Sequence, residues 1–149
     1  NVNTTTLSKN KEPELQLKYS NEPLMFHGVP KIIMAHKMYG FPYIDRDGGY
    51  GISSRDNYII INKTIDELEL IKEFLSTELI LFLFETTRYR MRYLEKYVFD
   101  YIPDFSKIPE AIEMKRNKNV NIYDLFDIDS VEKEFIESYY RIKYKHFAV

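Results

Sequence analysis

Cysteine, tryptophan and long apolar runs are all missing from this chain of 149 residues. Without cysteine, the chain has no disulfide bond, no thiol nucleophile and no zinc site with cysteine ligands. The densest apolar run covers only residues 79–84, whereas a helix needs roughly 20 apolar residues to span a bilayer, so we expect no membrane partner. The chain begins at Asn1 without a basic and then apolar leader, which predicts no signal peptide and a piece cut from a longer polypeptide.

The chain also has little net charge, with a formal value of only −2. This value gives no overall attraction to nucleic acid, so contact with DNA requires local clusters of basic residues. The hydrophobic fraction of 44% predicts a folded chain, and 149 residues suffice for one core. We interpret residues 1–23 as a polar arm or linker and residues 24–149 as a single domain.

The stretch from residue 31 to residue 62 predicts a small sheet. Two runs rich in β-branched and aromatic residues, 32–35 and 58–61, flank a middle strand at 41–45. The turn Asp47-Gly48-Gly49 predicts that this strand doubles back as a hairpin into residues 50–53. A short edge strand is expected at residues 14–19.

Helices are expected to pack against this sheet. Thr64 and Glu67 match the S/T-x-x-E pattern of a capping box, which predicts a helix start, and Asp129 is a predicted cap for a terminal helix. The first predicted helix starts at residue 64, has a break or bend at 76–77 and continues as a second helix over 78–97. It is followed by a short strand or extended exit at 98–103, a loop at 106–119, a helical turn at 122–126 and a helix at 130–146. The predicted class is α+β: a small, mainly antiparallel sheet at 31–62, plus the edge strand, packed by two or three helices at about 64–97 and 130–146.

Motifs of known chemistry are weak here. No histidine lies in a nucleophile turn or a zinc-binding pattern, and no phosphate-binding glycine loop is present. The pairs Asp45/Asp47 and Asp127/Asp129 could hold a divalent cation, but a turn and a helix cap account for them more simply. Pro103-Asp104 followed by Glu113-Met114-Lys115 spells a pattern of metal-dependent nucleases, which requires two adjacent strands.

Several short segments follow one another in a recognisable order. They are Val29-Pro30-Lys31-Ile32-Ile33-Met34, Tyr50-Gly51-Ile52-Ser53-Ser54, Tyr58-Ile59-Ile60-Ile61, Phe74-Leu75-Ser76-Thr77, Val98-Phe99-Asp100-Tyr101-Ile102-Pro103, then Asn121 to Asp127 and Val131 to Glu137. Over roughly residues 28–137 this order resembles the C-terminal target-recognition region of adenine-specific DNA methyltransferases of the TaqI and type IIG restriction-modification kind. Where that family commonly has a tryptophan-serine-asparagine style segment, this chain reads Thr87-Arg88-Tyr89-Arg90, so no base contact is carried over.

The resemblance implies a domain that reads the sequence of double-stranded DNA for a methyltransferase catalytic domain, in cis or in trans. The chain has no N-P-P-Y or D-P-P-Y loop for a flipped adenine and no glycine-rich S-adenosylmethionine motif. We therefore expect this chain to be no enzyme and to hold no cofactor, with S-adenosylmethionine bound by the catalytic partner. The expected location is the cytoplasm, including a bacterial nucleoid or a viral replication compartment.

Basic and aromatic residues near the second predicted helix are candidates for DNA contact. Arginine can meet guanine through two hydrogen bonds, lysine can meet phosphates, and tyrosine can stack or hydrogen-bond. The candidate DNA-binding residues are Arg88, Tyr89, Arg90, Arg92 and Lys96 on that helix, with Arg46, Arg55 and Lys37 around the turns of the sheet. The alternative interpretation is an ordinary solvated surface whose cations pair with the acidic residues of 67–73.

A protein-interaction or scaffold domain is the competing function. In that case the sheet and its aromatic surface would dock another subunit, and DNA would not bind. The two functions differ in their response to salt, because binding to duplex DNA weakens steeply as salt rises.

Overall fold

The computed structural model describes residues 12–37, 40–53, 57–89, 93–119 and 121–143. Its elements are β1 Lys31–Ala35, β2 Tyr43–Asp45, β3 Asn57–Ile60, α1 Ile65–Leu75, α2 Glu78–Thr86, a first 3₁₀ helix Lys96–Tyr101, a second 3₁₀ helix Phe105–Lys107, α3 Pro109–Arg116, α4 Ile122–Leu125 and α5 Ser130–Lys143. The predicted α+β class, with a small antiparallel sheet packed by helices, is confirmed.

The sheet is centred on β1, which pairs antiparallel with β2 on one side and with β3 on the other. All five residues of β1 are buried. Ile32 and Met34 point into the main core, whereas Ile33 points to the opposite face and packs with Ile52. Burial on both faces explains why residues 32–35 of β1 form a continuous apolar run and not an alternating one.

Two elements are fixed by side-chain caps that the sequence predicted. The amide of Glu67 donates to the Thr64 hydroxyl at 3.3 Å, and the amide of Thr64 donates to the Glu67 carboxylate at 2.7 Å. At α5, Asp129 accepts from the amides of Val131 and Glu132, both at 2.8 Å. The predicted capping box and the predicted cap of the terminal helix are therefore confirmed, although residues 144–146 lie outside the described part of the chain.

The second predicted helix is wrong in its length, because α2 ends at Thr86 and not at Tyr97. The hydroxyls of Thr86 and Thr87 donate back to the carbonyls of Phe82 and Leu83, at 3.0 and 2.6 Å. Such bonds compete with continuation of the helix. Beyond them, the backbone turns to pair with the end of β1 instead of forming another helical turn.

Four further predictions of local structure are wrong. Residues 98–103 are neither a strand nor an extended exit along their length, since the first 3₁₀ helix covers 96–101. The predicted loop at 106–119 contains α3, whose start is fixed by Pro109 at its first position. Residues 50–53 do not pair with β2, because the amide of Ile52 donates to the carbonyl of Met25 at 2.9 Å. Residues 14–19 form no strand; Leu15 instead packs beside the Ile33–Ile52 cluster.

Candidate nucleic-acid interface

One end of the sheet gathers several of the predicted contact residues. Lys37, two residues beyond β1, forms an antiparallel bridge with Tyr93, and Tyr93 forms another with Tyr89. The amide of Leu94 donates to the carbonyl of His36 at 2.7 Å, which fixes this segment against the strand end. The chain after α2 therefore returns to the end of β1.

Aromatic contacts anchor this region to the core. The His36 ring lies 5.2 Å from the Tyr93 ring and 5.4 Å from the Tyr58 ring. The Tyr58 hydroxyl donates to the carbonyl of Leu94 at 2.9 Å, and its ring meets Phe99 edge-on. Burial, and then the nearby charge of Glu95, raises the pKa of Tyr58. Tyr93 is thus joined to the core by a continuous row of rings through His36, Tyr58 and Phe99.

We call His36, Lys37, Tyr89, Tyr93 and Tyr97 the tyrosine patch. Three of its rings remain accessible, with Tyr89 59%, Tyr97 48% and Tyr93 37% exposed. The Tyr97 hydroxyl donates to the carbonyl of Thr87 at 2.5 Å, which joins the first 3₁₀ helix to the end of α2. Accessible tyrosine rings with a fixed orientation can stack on bases or hydrogen-bond to polar groups.

Lysines supply the positive charge near this patch. Lys37 belongs to it and is exposed, and Lys96 is exposed at the start of the first 3₁₀ helix, one residue before Tyr97. Arg90 and Arg92 lie between Tyr89 and Tyr93 in the sequence but, like Arg55, fall outside the described residues. Of the eight predicted contact residues, Lys37, Tyr89 and Lys96 are therefore the ones that the structure brings to this end of the sheet.

The side chain of Arg88 is buried, which corrects its predicted role as a residue that contacts DNA. Its side chain is only 2% exposed and its Nε lies 3.3 Å from a carboxylate oxygen of Glu85, which is itself 3% exposed. Lys143, the last residue of α5, approaches the other oxygen of Glu85 at 2.9 Å. Arg88 therefore pairs with a buried carboxylate instead of facing solvent, and Lys143 joins α5 to α2 through the same carboxylate.

Arg46 lies at the opposite end of the sheet. It follows β2, whose Asp45 is aligned with Lys31 at the start of β1, whereas the tyrosine patch follows the end of β1. Its guanidinium donates to the Glu69 carboxylate at 2.8 and 3.2 Å, and these bonds lower the pKa of Glu69. Arg46 pairs with α1 and does not join the other predicted contacts.

Carboxylates of the candidate metal sites bind donors of the protein itself. Asp45 accepts a bond from buried Lys31 at 2.7 Å and from the amides of Gly49 and Tyr50, so it fixes the turn after β2. Asp129 caps α5, as described above. No group of three acidic or histidine side chains that could hold a metal ion occurs among the described residues.

The nuclease-like pattern also lacks the geometry that it needs. Asp104 lies before the second 3₁₀ helix and accepts from Lys63 at 2.5 Å, while Glu113 lies on α3 and pairs with Arg116 at 3.1 Å. Burial opposes ionisation of Asp104, but hydrogen bonds from Lys63 and Ser106 outweigh it and lower the pKa of Asp104. The two halves of the pattern therefore do not lie on adjacent strands.

His36 was not among the predicted contact residues, and in the structure it lies beside Tyr93 of the patch. Its ring fills the space between Tyr93 and Tyr58. Its position just after a buried strand is the one feature of the sequence that could have pointed to this role. Tyr89, Tyr93 and Tyr97 stand four residues apart, a spacing typical of one face of a helix, but Tyr89 and Tyr93 are paired in an antiparallel bridge.

Comparison of the chain with protein-family models, with curated proteins and with solved structures found no match. Among the described residues, no helix has the length and apolar character that crossing a membrane requires.

Proposed function

We propose that this chain is a DNA sequence-recognition domain that serves an adenine-specific methyltransferase catalytic domain, in cis or in trans, in the cytoplasm. The observation that carries the proposal is the tyrosine patch, where accessible tyrosines and a lysine lie together at one end of the sheet. The resemblance in segment order supplies the methyltransferase part of the proposal.

Local charge supports contact with a polyanion although the whole chain is acidic. Residues 88–96 contain four basic residues and one acidic residue, Glu95. Because Arg88 is paired with Glu85, the proposal assigns contacts with phosphates and base edges to Arg90, Arg92, Lys96 and Lys37. Lysine contacts position a protein on the phosphate backbone, whereas arginine and tyrosine can read base edges.

The proposal can be tested by fluorescence anisotropy with a labelled duplex at about 50 mM and about 200 mM salt. Each phosphate contact adds about −0.9 to the slope of log affinity against log salt, so binding to DNA must weaken as salt rises. We expect affinity to fall at least about tenfold between these concentrations. Selection from a randomised duplex pool should then enrich a short motif, as a domain that reads sequence requires.

Paired variants locate the surface. Lys37→Ala with Lys96→Ala should weaken binding and reduce the magnitude of the salt slope by about 2, and Arg90→Ala with Arg92→Ala should weaken binding and relax the selected motif. The matched control is Lys107→Ala with Arg116→Ala, which removes two exposed charges elsewhere and should leave binding unchanged. Arg88→Ala is a poor probe, because it would remove one of the two cations that pair with the buried Glu85 carboxylate.

Two results would contradict the proposal. Absence of duplex binding at low salt would favour the protein-interaction function, in which a partner binds with little response to salt. Binding that is equally weakened by the control pair would mean that the charge effect is general and that the tyrosine patch is not the contact surface.

A further inference from the structure

The helix α5 carries two apolar faces. One face packs on α2 through Ile136, which is 5% exposed, and through Tyr139, whose ring lies 5.3 Å from that of Phe82. The other face carries Val131, Phe135 and Ile142, which are 74%, 60% and 77% exposed, although the Phe135 ring also meets the edge of the Phe82 ring at 5.9 Å. A helix that is apolar on a second face has surface left to bury against another element.

The exposed face has the spacing of a coiled-coil seam. Val131, Phe135, Ser138 and Ile142 are separated by four, three and four residues, which is the alternation of the two core positions of a heptad. Glu134 and Arg141 are seven residues apart and therefore flank this seam on the same side. We call these four core positions the α5 seam.

We propose that the α5 seam binds a second copy of this chain, with the two α5 helices antiparallel. In that arrangement Val131 lies opposite Ile142 of the second copy, and Phe135 lies opposite Ser138. In each pair the larger side chain, Ile142 or Phe135, faces a smaller one. The two-fold symmetry repeats each layer, as a self-complementary interface requires.

The charges along α5 favour antiparallel pairing with a second copy of the same helix. The first turn of α5 contains Glu132 and its last turn contains Arg141 and Lys143. Antiparallel pairing brings Glu134 to Arg141 of the second copy twice, whereas parallel pairing would set acidic starts together and basic ends together. A copy of the same helix supplies the required layers and the required charges at once.

The dimer is expected to be weak. A helix of 14 residues is about 21 Å long, and two such helices bury less than the roughly 800 Å² per partner of a standard interface. Dimerisation should therefore be sought by sedimentation equilibrium of the whole chain from low micromolar to several hundred micromolar concentration.

Charge reversal and restoration provide the decisive test. Glu134→Arg and Arg141→Glu, each alone, should raise the dimer dissociation constant about tenfold or more, and the two combined in one chain should restore it. Ile142→Ser should leave only monomer. Glu113→Arg on α3 is the matched control, because it reverses an exposed charge away from the seam and should leave dimerisation unchanged.

The direction of pairing can be read by crosslinking, since the chain has no cysteine of its own. A mixture of Val131→Cys and Ile142→Cys chains should form a disulfide between the two variants, whereas Val131→Cys alone should not. Wild-type chain that stays monomeric throughout, a dimer that survives Ile142→Ser, or a charge swap that fails to restore dimerisation would overturn the proposal. Far-UV circular dichroism of each variant verifies that the monomer is folded.

Discussion

Charged residues buried inside the fold are the main finding at the scale of single residues. The Lys31 side chain has no exposed surface, and the side chains of Asp45 and Glu85 are 4% and 3% exposed. The Lys31 ammonium donates to Asp45 at the end of β2 and to the carbonyls of Phe26 and Val29 in the turn before β1, so its three donors are all used. Buried charges of this kind are tolerated when they are paired and hydrogen-bonded.

Loss of the Lys31 ammonium should strongly destabilise the fold. Lys31→Met would leave the Asp45 carboxylate buried without its cation, which typically costs about 3–5 kcal/mol. Urea denaturation followed by circular dichroism measures this change. Lys107→Met is the control, because Lys107 is 77% exposed and lies 3.7 Å from Asp104, so we expect a loss within about 0.5 kcal/mol. Similar losses in the two variants would show that the buried pair has no special role.

At the scale of elements, those with a local signal were predicted and those that depend on distant residues were not. The start of α1 and the start of α5 are each fixed by a capping side chain within three residues. The end of α2 is different, because the following segment pairs with His36 and Lys37, which lie more than 50 residues earlier in the chain. Tertiary pairing there overrides the helical spacing of the tyrosines.

The capping box should make a measurable contribution to stability. Thr64→Ala removes the acceptor for the amide of Glu67 and should lower the free energy of unfolding by about 1 kcal/mol. Thr64→Ser keeps the hydroxyl and should retain most of the stability. Chemical denaturation of both variants tests this, and equal effects of alanine and serine would show that the hydroxyl bond is unimportant.

At the scale of the whole molecule, one continuous core joins the sheet to α1, α2, the 3₁₀ helices and α5, while a smaller cluster covers the other face of the sheet. Several tyrosines that pack against this core have a raised pKa. Burial, and then the charges of Glu78 and Glu137, raises the pKa of Tyr123 to about 12. Burial also raises the pKa of Tyr58 and of Tyr140 above the ordinary 10.0.

Stability should therefore fall in alkaline solution. Between pH 10 and about 12 the folded state keeps a proton on Tyr123 that the unfolded chain releases, so the stabilisation present below pH 10 is lost as pH rises. Urea denaturation at a series of pH values, with tyrosinate absorbance as a second readout, measures the effect. Tyr123→Phe should reduce the alkaline loss, whereas Tyr19→Phe, at a side chain 94% exposed, should not. An unchanged pH profile for Tyr123→Phe would contradict this explanation.

The sequence by itself determined the α+β class, a strand around Ile32 and Ile33, and the caps at Thr64 and Asp129, whereas it placed the strand at 41–45 in the middle of the sheet and the structure places β1 there. These features follow from apolar runs and from hydrogen bonds between near neighbours, both of which are local. Only the tertiary structure decided that Arg88 is buried against Glu85 and that Lys37, Tyr89 and Tyr93 meet at one end of the sheet. The reason is that burial of a charge and the pairing of distant segments depend on which surfaces meet, and local spacing does not contain that information.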